Sequence, residues 1–188
     1  MRKLDMADVQ ESGDFKRLKA GAYICIITKV EDVPLDKNTD RGDYLRIWYD
    51  IDEGEFAGYY REMRENHHDW DWCGRFTRSY KPTALGMFKR FCSAVSKSNG
   101  NFVFDAGEVN SDESTLIGKR IGLILQEQEY NANDGSVKTK VEVFREFQVD
   151  KLADQVVPEP KRLPRTGPTD STNSVFVDIG TDEELPFS

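Results

Sequence analysis

The densest chemistry in the chain lies in "NHHDWDWCGRFTRSYKP", where Trp70, Trp72, Phe76 and Tyr80 alternate with Arg75, Arg78 and Lys81. Rings at this spacing offer flat apolar faces, and the cations beside them offer positive charge. Single-stranded nucleic acid needs both. Bases stack on rings, each for roughly 1–3 kcal/mol, while Lys and Arg follow the phosphates in a salt-sensitive way. Gly74 permits a bend in such a wrapping segment. Two further stretches carry the same pairing. "YLRIWYDI" places Tyr44, Arg46 and Trp48 on one face of a strand, and "FAGYYREMRE" adds Tyr60, Arg61 and Arg64. The competing expectation is packing. Tyr44 and Trp48 would cover a small secondary core with Arg46 laid over them, and rings this crowded usually bury some of their number. A mixture is expected, with some tryptophan in the core and the arginines and one or two rings facing a ligand.

Other chemistries find less support. His67, His68, Asp69 and Cys73 are all metal-ligand types, but adjacent histidines do not easily share one ligand face, and no second Cys/His pair stands at a familiar spacing. No metal or cofactor is expected. The chain lacks GxSxG, GxxxxGK[ST] and GxGxxG, and its carboxylate clusters fall in expected turns, where Asp is favoured for backbone reasons. A magnesium-dependent nuclease is the weakest of the readings, because no ligand constellation can be named for it.

The elements that must hold these residues follow from periodicity. "GAYICIITKVED" alternates as a first strand, with Tyr23, Cys25, Ile27 and Lys29 on one face. "YLRIWYDI" is the second, with Leu45, Ile47, Tyr49 and Ile51 opposite the aromatic-basic face. After the turn "DEGE", "FAGYYREMRE" reads as a third strand in a hairpin. From Pro82 to Ser98, apolar residues recur at three- and four-residue spacing, giving a helix that stops at Asn99-Gly100. "LIGKRIGLILQEQEY" and "VKTKVEVFREFQV" are the fourth and fifth strands, joined by the turn "NANDGS". Three strands, one helix and two strands is the order of an OB-fold barrel, whose second and third strands usually carry the ligand. The expected class is therefore mainly β: a five-stranded OB-fold barrel with one helix between strands 3 and 4, plus a tail.

Composition changes near Leu152. Five of the seven prolines follow it, with no sustained apolar period, so residues 153–188 read as a disordered tail after a domain at 1–152. The 188 residues carry a net charge of −8, which argues against a general basic coat but says little about one local face. No apolar run approaches the roughly 20 residues of a membrane span, and the start lacks a signal-peptide core. Three cysteines, an odd number at no ligand-like spacing, suit reduced thiols in a cytoplasm.

The strand and helix segments "GAYICIITKVED", "YLRIWYDIDEGEFAGYY", "ALGMFKRFCSAV" and "LIGKRIGLILQEQEY" resemble a family of small phage-encoded OB-fold proteins from replication and recombination clusters of phages of Gram-positive bacteria. The resemblance spans roughly residues 18–150. It implies single-stranded DNA binding with little sequence preference, in the cytoplasm of a bacterial host. The final "DEELPF" is similar to the terminal peptide of bacterial single-stranded DNA-binding proteins. That similarity implies a hook for replication and recombination enzymes made by Asp182, Glu183, Glu184, Leu185, Pro186 and Phe187. Ser188 departs from the pattern, which usually ends on Phe, and moves the terminal carboxylate one residue on. Independently of any family, a flexible acidic segment is steered to basic patches, and Pro-Phe gives a compact apolar anchor. The alternative expectation is a protein-binding adaptor without DNA contact, favoured by the net charge. The sequence leaves open whether the protein is a monomer or a homo-oligomer.

Overall fold

A computed structural model describes residues 16–34, 43–68, 72, 74–107 and 112–164. In chain order they form β1 (Gly21–Val33), β2 (Tyr44–Ile51), α1 (Tyr59–Asn66), β3 (Arg75–Ser79), α2 (Leu85–Ser98), β4 (Arg120–Asn131) and β5 (Val137–Phe147). The strands make one five-stranded antiparallel sheet in the order β3-β2-β1-β4-β5. Its inner face carries the core. Cys25, Ile27, Leu45, Ile47, Tyr49, Ile51, Ile121, Leu123 and Leu125 are buried there, against Phe88, Phe91 and Val95 of α2. No helix among the described residues is long and apolar enough to cross a membrane.

The periodic reading of β1, β2, α2, β4 and β5 agrees with the structure to within a few residues, apart from one phase change in β1. A 3-10 turn at Pro82–Ala84 precedes α2. The Asn99 side chain ends that helix by donating to the carbonyls of Val95 and Arg120, 2.7 and 2.8 Å away, while its oxygen accepts from Arg120 N–H. One amide thus ties the helix end to the start of β4.

The third strand is not where the sequence suggests. "FAGYYREMRE" forms turn and helix, so the fold has two α-helices rather than one, and the third strand is Arg75–Ser79. Two local causes decide this. Gly58 sits at φ +75°, a left-handed position that breaks any strand through it. The carboxylate of Asp50, buried on β2, then takes over the role of a helix cap. It accepts from the backbone N–H groups of Ile51 and Tyr60, both at 2.9 Å, and of Arg61 at 3.2 Å. Those amides lack partners within a helix's first turn, and a carboxylate there also complements the helix dipole. With the cap in place, Phe56, Tyr59, Tyr60 and Met63 fall at helical spacing over the core.

β1 changes phase within its length. Up to Ile27 it faces Tyr49 of β2, but a bulge follows, and Lys29 faces Trp48. Directly opposed residues of an antiparallel pair share a face, and one extra residue reverses the alternation. Cys25 and Ile27 therefore point inward with Val30, whereas Lys29 and Glu31 point outward.

β3 and β5 are the two edges of the sheet, yet an ion pair joins them on the inner side. Arg78 of β3 and Glu146 of β5 form a salt bridge in which the Glu146 side chain is fully buried. Arg90 of α2 supplies a second guanidinium to Glu146 at 3.3 Å. Burial pulls Arg78 down from its ordinary pKa while Glu146 pushes it back up. Residues 155–164, assigned by composition to the tail, lie partly along β4. Lys161 bridges in parallel to Gln128 and exchanges 2.9 Å backbone hydrogen bonds with Glu127 and Glu129, and Arg162 pairs with Glu129. The rest of the tail, from residue 165, lies outside the described residues.

Removing one partner of a buried pair leaves the other charge stranded. Glu146→Ala should therefore cost about 3–5 kcal/mol in a denaturant unfolding experiment. Adding Arg78→Leu to that variant should recover part of the loss. If Glu146→Ala unfolds at the wild-type midpoint, the pair does not hold the sheet edges.

Candidate nucleic-acid interface

The outer face of β1, β2 and β3 follows from the register. Lys29, Trp48 and Arg75 form one row across the three strands, and Glu31, Arg46 and Thr77 form the next. Above the first row a cavity of about 560 Å³ opens, lined by Thr28, Lys29, Glu31, Arg46, Trp48, Arg64, Trp72 and Arg75. Four cations and one carboxylate thus surround two indoles, on a chain of net charge −8.

Trp48 exposes only 9 % of its surface. The Lys29 ammonium lies 4.5 Å from its ring centroid and the Arg46 guanidinium 5.6 Å. Cation–π attraction over a partly desolvated indole contributes about 1–2 kcal/mol per contact. Trp48 is therefore a platform that orients two cations rather than a free face for a base. Arg46 is fixed further by donating 3.0 Å to Glu31 Oε2 and 2.7 Å to Tyr44 Oη.

Trp72 is placed differently. Its indole N–H donates 2.9 Å to the carbonyl of Tyr49, and its ring stands 6.5 Å from that of Tyr60. It is half-buried, with one side on the core and part of its surface lining the cavity. Gly74 makes this approach possible. A Cβ there would lie 2.5 Å from both the Tyr49 carbonyl oxygen and the Tyr60 ring. Tyr49 N–H also donates 2.8 Å to Gly74 O, carrying the β2–β3 ladder one step past Arg75.

Of the residues singled out by sequence, Arg46, Trp48, Arg64, Trp72 and Arg75 come together at this cavity, and Tyr44 supports it through Arg46. Others go elsewhere. Tyr60 and Phe76 are core residues, 6 % and 8 % exposed, with no ring face available to a base. Phe76 and Arg78 share the inward alternation of β3, and Arg78 is committed to Glu146. Tyr80 donates 3.0 Å to Asp32 and packs edge-on against Phe88; burial first, then that hydrogen bond, raises its phenol well above the ordinary value. Arg61 and Lys81 are exposed but do not line the cavity. Trp70, Cys73 and Asp182–Phe187 lie outside the described residues.

Sequence reasoning missed Lys29 and Glu31 as site residues. A signal was present: charges at 29 and 31 continue the alternation of apolar Cys25 and Ile27, a conflict that only a change of phase resolves. A second, larger cavity of about 840 Å³ lies beside α2, with an apolar lining that includes Leu85, Phe88 and Val103. Its charged lining residues are Asp32, Asp105, Glu113 and Lys89. Three carboxylates against one ammonium would repel phosphate, so charge assigns nucleic acid to the smaller cavity. Cys92 lines the larger one, where burial raises its thiol to about 11 and keeps it protonated at neutral pH. No known family profile matches the chain, and no curated protein is significantly similar to it.

Gly74→Ala tests how Trp72 is held. Overpacking at this contact should cost about 1–3 kcal/mol in thermal or denaturant melts and shift the tryptophan emission. Wild-type stability with unchanged emission would show that the close approach does not position the indole.

Proposed function

We propose that this protein binds single-stranded DNA through the outer face of β1, β2 and β3, with little sequence preference, during phage DNA replication or recombination. The observation that carries this reading is the convergence of Lys29, Arg46, Arg64 and Arg75 around Trp48 and Trp72 on an otherwise acidic chain. The sheet order, with β1 between β2 and β4, fits an OB barrel in which β3 and β5 approach at the Arg78–Glu146 seam. Phosphates run past the arginines while a base stacks on the cavity side of Trp72. Trp48 contributes by holding Lys29 and Arg46 in place. The protein acts by binding, without a cofactor and without turning over a substrate. The terminal "DEELPF" recruits replication or recombination enzymes in the bacterial cytoplasm while the barrel is occupied.

Titrating labelled poly-dT and a duplex of equal length at several salt concentrations tests this reading, with tryptophan fluorescence as a second signal. Poly-dT should bind more tightly, with log affinity falling linearly in log salt. Trp72→Ala should cost about 1–3 kcal/mol of binding, and Arg64→Ala or Arg75→Ala should each lower the salt slope by about one unit or less. Equal or absent binding of both nucleic acids would overturn the proposal and leave the adaptor reading, in which deleting the tail removes the main activity.

A further inference from the structure

Glu31 is the one residue that a phosphate-binding cavity has no use for. Its carboxylate stands among Lys29, Arg46, Arg64 and Arg75, where it weakens the attraction for every phosphate that enters. Its place there is built in. The β1 bulge turns it outward, and the register sets it opposite Arg46. Arg46 Nη1 holds Oε2 at 3.0 Å. Among the described residues Oε1 has no protein partner, and the side chain is 44 % exposed. A carboxylate is only an acceptor, so it can join a ligand only through that ligand's N–H or O–H groups. Phosphates offer none. Nucleobases do, and they differ in where.

We infer that Glu31 reads the base lodged in this cavity by accepting from its exocyclic amine, so that one subsite prefers cytosine over thymine. This rests on the single-strand reading and adds a local bias to it. The amine at cytosine C4 donates to a carboxylate, the pairing by which Glu and Asp read that base. At the same position thymine presents a carbonyl oxygen, which a carboxylate repels. Arg46 has the complementary task. Its ion pair aims the carboxylate, and its remaining N–H groups face the same cavity.

Oligo-dC and oligo-dT of equal length, titrated against the full chain and against Glu31→Ala at one salt concentration, test the inference. The ratio of the two affinities is the quantity to read, because loss of the negative charge alone strengthens binding of both strands alike. The wild type should favour dC by about three- to ten-fold, and the Ala variant should bring the ratio toward one. Glu31→Gln removes the charge but keeps an acceptor, so it should tighten both strands and retain part of the preference. An unchanged ratio in Glu31→Ala overturns the inference and leaves DNA binding standing. Failure of the wild type to bind either strand overturns both.

Discussion

The bulge after Ile27 is the constraint from which the site follows. A strand with unbroken alternation would point Lys29 and Glu31 into the core beside Cys25 and Ile27, at a cost of several kcal/mol for unpaired buried charge. Adding one residue reverses the phase. The first half of β1 then supplies core, and the second half supplies two charged groups to the outer face. β2 needs no such device, because its alternation is regular: Leu45, Ile47, Tyr49 and Ile51 inward, Tyr44, Arg46 and Trp48 outward. The site is the meeting of these two patterns with Arg75 from β3.

Around that face, buried polar groups fix elements that apolar contact alone would leave free to slide. Asp50 caps α1, which sets the position of Arg64 on one wall of the cavity. Glu146 gathers Arg78 and Arg90, tying both edge strands and α2 to one point. The Trp72 indole is tethered to the Tyr49 carbonyl, so its ring meets the cavity at a set angle. Each of these interactions is directional and partly or wholly screened from water, where hydrogen bonds to charged groups contribute most.

Much of this was legible in the sequence where the pattern is strong and local. β2 and α2 declare themselves by period, and β4 and β5 by the turn between them. α1 was not legible as a helix. "FAGYYREMRE" has apolar residues compatible with either period, and the deciding cap comes from Asp50, eight positions before Gly58. The basic and aromatic composition pointed to the correct surface, but composition does not assign faces. Arg78 and Arg75 look alike in "RFTRSY", and only the register of β3 sends one inward to Glu146 and the other outward to the cavity. Tyr60 and Phe76 were drawn inward for the same reason, by the helical phase of α1 and the strand phase of β3.

The central claim is that one surface, the outer face of β1, β2 and β3 with Trp72, receives the nucleic acid. Backbone amide shift mapping by NMR during titration with a short oligonucleotide tests this most directly. Shifts should concentrate at residues 28–31, 44–48, 64 and 72–77 and leave α2 unmoved. Shifts confined to the acid-rimmed cavity around Leu85, Phe88 and Val103, or spread evenly over the sheet, would contradict it.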